Sequence, residues 1–400
     1  MMATDGTARL ILVLALAPAV GLGVARFAYA LVLPDMQASL GWTYVEAGFM
    51  NTANAAGYLA GALASPWVAR RLAPGVAVRV GMLACLAGLG LSAATADFAL
   101  LSAARLLAGA GSALAFVAGG AMAAALAGSR PERAGFLLGL FYAGPGLGIL
   151  VSGLVAPLVL HGYGAGAWRE AWAVLALACV LPAAALFLPL GPPAAASGRA
   201  GRAPAVPLLA MAPMLVGYGA FGAGYIAYMT FMIAWVRDAG GGAVQQAAFW
   251  GVLGLAVMAS PWLWSRPIGS LGGGRAIAAL TGVTLAGAVL PLVAEGAMVL
   301  FVSSACFGSA FFAVVAATTA FVRRNLPQPA WPGGIAAATV AFGLGQMAGP
   351  VATGLVTDLA GGALSAGLWS SAGLLALAAA ISLAQRDVGL HRTAGAAPGP

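Results

Sequence analysis

Long apolar runs follow one another along the chain, separated by short stretches that contain charged residues, glycine or proline. About 20 consecutive apolar residues let an α-helix cross the hydrocarbon layer of a bilayer. By that criterion the pattern predicts twelve transmembrane helices, over residues 10–33, 44–65, 77–96, 99–127, 135–159, 168–190, 208–236, 244–265, 274–294, 297–322, 332–357 and 364–385. Only a tight turn near Glu295 and Gly296 separates the ninth helix from the tenth.

The composition excludes an ordinary soluble protein. Hydrophobic residues make up 62% of the chain and charged residues 7%, whereas a soluble domain carries about 25% charged residues. The mean hydropathy is +0.98, so lipid must be the solvent for much of the surface. The 58 glycines suit transmembrane helices, whose interfaces favour small residues. We therefore expect an all-α membrane protein.

The basic residues are 18 arginines, and their positions predict the orientation. If the N-terminus is cytoplasmic, only Arg169 and Arg237 fall at outer helix ends, while Arg26 and Arg105 lie within helices. The remaining arginines fall on the cytoplasmic side: Arg9, Arg70, Arg71, Arg79, Arg130, Arg133, Arg199, Arg202, Arg266, Arg275, Arg323, Arg324, Arg386 and Arg392. This distribution follows the positive-inside rule, so we expect a multi-pass inner-membrane protein with both termini in the cytoplasm.

One segment is typical of a linker. It has the sequence GPPAAASGRAGRAPAVP and is rich in proline, glycine and alanine. We therefore predict a six-helix bundle over residues 1–190, a cytoplasmic linker over 191–207, and a second six-helix bundle with a short tail over 208–400.

Weak internal similarity indicates that the two halves are duplicates. The tetrapeptide ASPW closes both the second and the eighth predicted helices, with its copies 195 residues apart. Tyr29 aligns with Tyr228 at an offset of 199, and Pro145 aligns with Pro350 at an offset of 205. Three matches in the same order favour a parallel duplication of six helices. Proline within each ASPW is expected to end its helix, and Trp67, Trp235, Trp250 and Trp262 to anchor helix ends at the lipid headgroups.

Several motifs resemble those of the major facilitator superfamily. RLLAGAGSA, which begins at Arg105, is similar to its motif of an arginine followed by spaced small residues. GLFYAGPGLG is similar to its antiporter-associated glycine-proline motif. More narrowly, GVARFAYALVLPDMQASLGWTYVEAGFMNTANAAGYLAGAL and GYIAYMTFMIAWVRD resemble the YbfB/YjiJ-like branch of bacterial transporters. The resemblance implies two pseudo-symmetric six-helix bundles that work by alternating access.

The loop after the second helix departs from that superfamily's pattern. Ser65 stands where an aspartate is usual, followed by Pro66, and only Arg70 and Arg71 keep the basic end of the motif. The chain therefore lacks the aspartate of the usual acid-based cytoplasmic latch.

Arg26 and Arg105 are the main candidates for substrate binding. Intramembrane charge usually marks a functional site, and counting along the helix places Arg26 in the outer third of the first span. One interpretation is a basic pocket for an anionic substrate, with Tyr29 on the face of Arg26. In the alternative, each arginine pairs with an acid near the outer end or bonds to backbone carbonyls.

Other polar residues complete the predicted site. The full set of substrate-binding candidates is Arg26, Tyr29, Asn51, Asn54, Tyr58, Arg105, Tyr142, Tyr225, Tyr228 and Gln346. The candidates for gating or helix bending are Ser65, Pro66, Arg70, Arg71, Gly144, Pro145, Gly349 and Pro350. No acid lies in the middle of a span, so Asp35 and Glu46 near the outer mouth are the candidates for coupling. Polar groups of these types can also act only between helices, as packing or hydrogen bonds.

The predicted function is secondary transport of a small organic solute, an anion in the first interpretation. Efflux of amphipathic, drug-like compounds is the alternative, and a membrane sensor or enzyme is a third possibility. The chain carries no GxxxxGK[ST] motif, no Ser-His-Asp arrangement and no cysteine spacing typical of metal sites. We therefore expect no enzyme activity, no cofactor and no metal. The expected partners are the lipid bilayer and a small solute, alone or with a coupling proton or counter-ion. The scattered arginines form no nucleic-acid patch, and we expect a monomer.

Overall fold

The computed structural model describes residues 6–189 and 204–388. Within these ranges the protein is all-helical and has no strand. Its twelve long helices are α1 (Gly6–Leu40), α2 (Tyr44–Ala69), α3 (Pro74–Ala94), α4 (Phe98–Gly128), α5 (Pro131–Tyr163), α6 (Trp168–Ala185), α7 (Ala212–Asp238), α8 (Ala243–Leu263), α9 (Arg275–Val293), α10 (Ala297–Asn325), α11 (Trp331–Leu359) and α12 (Leu364–Leu383). The predicted number of helices is confirmed. Most of the predicted linker lies outside the described residues.

The helices suit a bilayer in length. Among the described residues, eleven helices are long and apolar enough to cross a membrane. The twelfth, α2, has 26 residues, about 39 Å at 1.5 Å per residue, but its first half carries Asn51, Thr52 and Asn54. Successive helices alternate in direction, so we call the end of the bundle near Gly6 and Leu383 the terminal end and the opposite end the distal end.

Two of the helices are interrupted near the centre of the bundle. In α1 a π-helical segment, Ala19–Val24, is followed by a turn over residues 25–28 before the α-helix resumes at Tyr29. The wider turn is seen in the bond from the Phe27 N–H to the Leu22 carbonyl, 3.2 Å long and five residues back. π-Bulges of this kind are frequent at functional sites. In α5 the α-helix ends at Tyr142 and starts again at Gly144.

The proline sites of α5 and α11 are not equivalent, so the predicted alignment of Pro145 with Pro350 is wrong. Pro145 follows the interruption of α5, whereas α11 is continuous through Pro350. The α-helical parts of α5 and α11 begin at Ala134 and Trp331, an offset of 197 residues, which pairs Gly148 with Gly345. This offset lies between the other two that the sequence shows.

Backbone contacts support that revised alignment. A Cβ atom on Gly148 would lie 2.0 Å from the Ala19 carbonyl oxygen, so α5 touches α1 backbone to backbone. A Cβ atom on Gly345 would lie 1.9 Å from the Gly219 carbonyl oxygen, in the corresponding contact of α11 with α7. Only glycine permits such approaches. The two six-helix bundles are therefore pseudo-symmetric in packing as well as in helix order.

The two bundles meet along a seam formed by α2 on α11 and by α5 on α8. At the distal end, both carboxylate oxygens of Asp358 on α11 accept backbone N–H groups from the start of α2, those of Tyr44 and Val45, each at 3.0 Å. Deeper in the seam, the Thr52 hydroxyl donates to the Met347 carbonyl at 2.6 Å. The distal end of the α2–α11 contact is thus closed.

The two ASPW copies occupy different environments at the terminal end. Pro66 and Pro261 both lie inside their helices, so the prediction that they end α2 and α8 is wrong. Each proline removes one backbone N–H bond from its helix, but α2 continues three residues beyond Pro66 and α8 two residues beyond Pro261. Trp67 is half exposed with Arg71 over its ring, as expected of a headgroup anchor, but Trp262 packs across the seam on Phe136.

One predicted anchor is buried. Trp250 has no exposed surface, and its ring packs where a Cβ atom of Gly153 on α5 would stand. It is a seam residue of α8, not a residue of the lipid headgroup region. A tryptophan near a predicted helix end can therefore lie either in the seam or at the lipid headgroups, and the sequence does not distinguish the two.

Candidate functional site

A small cavity lies at the centre of the bundle, between the two six-helix halves. Its volume is about 50 Å³, room for a few water molecules rather than for an organic solute. It is lined by Leu22, Arg26, Phe27, Tyr58, Phe116, Tyr225, Phe311, Phe312, Val315, Phe342 and Gln346. These residues come from α1, α2 and α4 of the first half and from α7, α10 and α11 of the second.

Arg26 supplies the cavity with its charge. The side chain is 4% exposed, and its Nη2 atom has no hydrogen-bond partner among the described residues. Its guanidinium carbon lies 5.0 Å from the centre of the Tyr58 ring and 5.8 Å from that of Phe27. The ring faces offset part of the cost of burying the cation, but an unpartnered charged donor remains expensive.

The depth of Arg26 differs from the prediction. Helix α1 extends to Leu40, seven residues beyond the predicted end. Arg26 faces the same cavity as Tyr225, which lies at the midpoint of α7. It therefore sits at the middle of the bundle rather than in the outer third.

Gln346 is the second polar group in the cavity. Its Nε2 atom donates to the hydroxyl of Tyr225, which joins α11 to α7. Its Oε1 atom is buried and has no partner among the described residues. The cavity thus contains one free donor on Arg26 and one free acceptor on Gln346, on opposite halves of the protein.

The rest of the lining is largely aromatic, and part of it forms a stack. The rings of Tyr225 and Phe342 have centroids 5.6 Å apart and planes within 5°. Tyr225 and Phe311 are 5.5 Å apart and within 17°. Phe27 from the first half meets Phe311 edge-on, at 5.9 Å and 88°. Both arrangements are favourable geometries for aromatic pairs.

Arg105 belongs to a separate polar cluster behind the cavity. Its guanidinium donates to the backbone carbonyls of Ala25 at 2.6 Å and Arg26 at 3.2 Å, and to Asn51 Oδ1 at 3.1 Å. These carbonyls lie in the turn of α1 that follows the π-helical segment. Arg105 therefore holds the irregular part of α1, and with it the backbone of Arg26, in place. The sequence left open whether Arg105 binds an anionic substrate or bonds to backbone carbonyls. The structure shows bonds to backbone carbonyls.

Asn51, Asn54 and Tyr29 complete this cluster. Asn51 Nδ2 donates to the Thr230 hydroxyl on α7 at 2.7 Å, a bond between the two halves. Asn54 Nδ2 donates to the Arg105 carbonyl at 3.0 Å. Tyr29 donates to the Ala47 carbonyl at 2.7 Å, and its ring lies 4.8 Å from the Arg105 guanidinium.

The prediction that Arg26 and Tyr29 share one face of α1 is wrong. A spacing of three residues gives one face only in a regular α-helix, and the turn over residues 25–28 lies between them. As a result Arg26 enters the cavity and Tyr29 enters the cluster around Arg105.

The remaining binding candidates lie outside the cavity lining. Tyr142 is partly exposed at the interruption of α5 and packs against Phe141 and Phe116. Tyr228 is buried, shares a 2.7 Å hydrogen bond with Ser303, and stacks on Phe307 at 4.0 Å.

The coupling and gating candidates have varied partners. Glu46 accepts from the backbone N–H of Thr43 at 2.9 Å, in the capping box that starts α2. Asp35 Oδ1 accepts from the Gly166 N–H at 2.9 Å, while its Oδ2 is buried without a described partner. Ser65 bonds within its own helix to the Gly61 carbonyl at 2.8 Å, and Arg70 is exposed at the end of α2.

Sequence reasoning found Arg26, Tyr58, Tyr225 and Gln346 but missed the phenylalanines. Phe27, Phe116, Phe311, Phe312 and Phe342 line the cavity, yet a phenylalanine in an apolar run looks the same whether it faces lipid or a cavity. Phe311 is buried and its neighbour Phe312 is partly buried, and neither position carries a local signal in the sequence.

The comparison with protein-family models identifies the family of this chain. A family model described as "Uncharacterised MFS-type transporter YbfB" matches residues 18–383. No curated protein sequence matches the chain. Among solved structures, the chain is similar to a mutant of the nucleoside transporter NupG, with a TM-score of 0.72 and 13% identity over 94% of this chain and 99% of that one.

Two further structures are similar. One is a bacterial homologue of the human lysosomal transporter Spinster in an inward-facing, unoccupied conformation, with a TM-score of 0.69, 14% identity, and coverage of 95% of this chain and 97% of that one. The other is a variant of the E. coli fucose:proton symporter FucP, with a TM-score of 0.59, 15% identity, and coverage of 94% and 97%. At these identities the likeness shows the fold.

Proposed function

The chain belongs to the YbfB-type family of major facilitator superfamily transporters, and on that premise we propose that it carries a small organic anion across the membrane. Arg26 carries this proposal. Its Nη2 atom is a buried, charged donor with no described partner, and it faces the central cavity. A carboxylate or similar anion is the natural acceptor for a free guanidinium N–H.

Alternating access fits the position of the cavity. Its lining comes from both halves, so a solute held there contacts both bundles and can be released when they rock apart. In this proposal the moving bodies are residues 1–190 and 208–400, joined by the linker 191–207. The distal contacts of Asp358 with α2 close one side of the path.

We place the protein in a bacterial inner membrane as a monomer, with the terminal end in the cytoplasm. The excess of arginines at that end supports this orientation. The closed distal contacts then make the present conformation one that is shut toward the outside.

Arg105 has a positioning role in this mechanism. Its bonds to the Ala25 and Arg26 carbonyls fix the turn that points the Arg26 side chain into the cavity. Asn51 links the same cluster to Thr230 on the opposite half, so motion of the halves and the conformation of this turn are connected.

The proposal is tested by substituting Arg26 with glutamine. Uptake of small carboxylates into proteoliposomes containing Arg26→Gln should fall to background. Loss of a charge-assisted hydrogen bond, about 1.5–3 kcal/mol, predicts at least a tenfold weaker affinity. Arg169→Gln is the control, because Arg169 is an exposed arginine outside the cavity. Unchanged carboxylate uptake by a well-folded Arg26→Gln protein would exclude this assignment.

Efflux of amphipathic compounds is a second candidate, favoured by the aromatic lining of the cavity. A strain that expresses the protein would then export such compounds and show increased resistance to them. A resistance profile that the Arg26→Gln variant leaves unchanged would favour this alternative over anion transport.

A further inference from the structure

The aromatic lining of the central cavity and its two free polar atoms restrict the cargo further. Resting on the proposed function, we propose that the transported anion is an aromatic carboxylate whose ring carries a hydrogen-bond donor, such as a hydroxyl or an N–H group. The carboxylate binds Arg26, the ring joins the aromatic stack, and the donor bonds to Gln346.

The lining of the cavity is enriched in aromatic residues. Seven of its eleven lining residues are Phe or Tyr, whereas aromatic residues make up 8% of the chain. A cavity for a short aliphatic acid would be served equally well by the leucine, valine and alanine that dominate the helices. The concentration of rings therefore indicates a ligand with a flat π-face.

The orientation of the rings supports the same ligand. Phe342, Tyr225 and Phe311 lie nearly parallel, with centroid separations of 5.5 and 5.6 Å. An additional flat ring can enter such an arrangement by offset stacking, which adds to the energy of area burial. A saturated ring of the same size gains the burial without the stacking.

Two unpartnered atoms define the polar ends of the ligand. Arg26 Nη2 requires an acceptor and Gln346 Oε1 requires a donor. Each buried group left without a partner is costly, and one ligand with both functions satisfies the two together. A simple carboxylate satisfies Arg26 alone, and a neutral phenol satisfies Gln346 alone.

The small volume indicates when the ligand enters. At about 50 Å³ the cavity is too small for an aromatic acid, so in this proposal the ring is admitted only as the two halves separate. Because Arg26 and Gln346 lie on opposite halves, a ligand that bridges them also draws the halves together.

Binding to the purified full chain in lipid nanodiscs tests this assignment, measured by isothermal titration calorimetry. The probes are benzoate, cyclohexanecarboxylate, 3- and 4-hydroxybenzoate, 4-methoxybenzoate and benzamide. We expect benzoate to bind about 2- to 10-fold more tightly than cyclohexanecarboxylate because of stacking. A hydroxybenzoate should bind roughly tenfold more tightly than benzoate. 4-Methoxybenzoate, which has no donor, should bind more weakly than the hydroxybenzoates, and benzamide, which has no carboxylate, more weakly than benzoate.

Two variants connect these preferences to their residues. Gln346→Leu should remove the advantage of the hydroxyl while keeping the affinity for benzoate. Phe342→Leu should reduce the advantage of benzoate over cyclohexanecarboxylate, whereas Phe98→Leu, whose ring contacts Trp42 and Phe49 at the distal end, should not. The comparison of probes on the unmodified protein holds even if a variant fails to fold.

The outcomes separate the two proposals. If cyclohexanecarboxylate binds as tightly as the aromatic acids and all binding requires Arg26, the aromatic class is overturned and anion transport stands. If 4-methoxybenzoate equals the hydroxybenzoates, the donor to Gln346 is overturned. If no carboxylate binds, or all bind equally to Arg26→Gln, the proposed function falls and this inference falls with it.

Discussion

Asp358 joins the two halves at the distal end of the seam, and its replacement by alanine tests whether this contact holds that end closed. The carboxylate accepts two successive backbone N–H groups at the start of α2, from Tyr44 and Val45, each at 3.0 Å. These N–H groups have no partner within α2, because the first turn of a helix leaves its donors free. The positive end of the helix dipole adds to the attraction.

The expected effect can be estimated from these two bonds. A hydrogen bond to a charged group contributes about 1.5–3 kcal/mol, but both are only part-buried, so about 2 kcal/mol for the pair is a reasonable value after screening. That energy changes the ratio of closed to open distal ends roughly 30-fold. Asp358→Ala should therefore increase the population that is open at the distal end by about this factor.

Hydrogen–deuterium exchange measures the change directly. Peptides that cover the start of α2 or the end of α11 should exchange roughly 30-fold faster in Asp358→Ala than in the unmodified protein. The matched control is Asp97→Ala. Asp97 also caps a helix at the distal end, with Oδ1 accepting from the Leu100 N–H at 2.8 Å, but within one half. It should speed exchange only at the start of α4.

The result that would refute the reasoning is specific. If Asp358→Ala exchanges faster only at Tyr44 and Val45, and the facing end of α11 is unchanged, the carboxylate is a local helix cap. If neither segment changes, the pair of bonds contributes nothing to closure of the seam.

Two further predictions concern packing and coupling. Gly148→Ala and Gly345→Ala should each lower the free energy of unfolding by about 1–3 kcal/mol. The new Cβ atoms would lie 2.0 Å from the Ala19 carbonyl oxygen and 1.9 Å from the Gly219 carbonyl oxygen. Gly162→Ala, with no atom within 4 Å of the new Cβ, is the control in the same unfolding measurement, and equal stability of all three would contradict the close-packing account. If Asp35 couples a proton to transport, Asp35→Asn should abolish uptake driven by a pH gradient while exchange of labelled substrate continues. Retention of gradient-driven uptake would exclude Asp35 from coupling, with Asp97→Asn as the control.

The helices could be predicted from the sequence because membrane solvent imposes a simple pattern. Most of the predicted ends lie within a few residues of the observed ones; α1 extends from Gly6 to Leu40, well beyond its predicted range of 10–33. The discrepancies have local causes that hydropathy does not record. Apolar runs give no signal for the π-helical segment of α1, and proline close to a helix end is compatible with another turn.

The candidate site could be predicted in part because charged and strongly polar side chains are rare within a membrane. Arg26 and Gln346 stand out in apolar surroundings, and both line the cavity. The division between the cavity and the cluster around Arg105 depends on the irregular turn of α1, because of which Arg26 enters the cavity and Tyr29 enters the cluster. The phenylalanines could not be found, since their role depends on which neighbour faces them across the seam.

The C-terminal end of α12 has a consequence for the order in which the protein assembles. Gln385 Oε1 accepts from the Met214 N–H at the start of α7, and the Gly274 N–H at the start of α9 donates to the Gln385 carbonyl. Met214 is synthesised 171 residues before its partner. The first half completes its equivalent closure early, when Arg79 on α3 bonds to the Leu186 carbonyl beyond α6. Chains fold from the N-terminus as they emerge from the ribosome. The first bundle can therefore complete its packing in the bilayer before Gln385, which bonds to the starts of α7 and α9, has been synthesised.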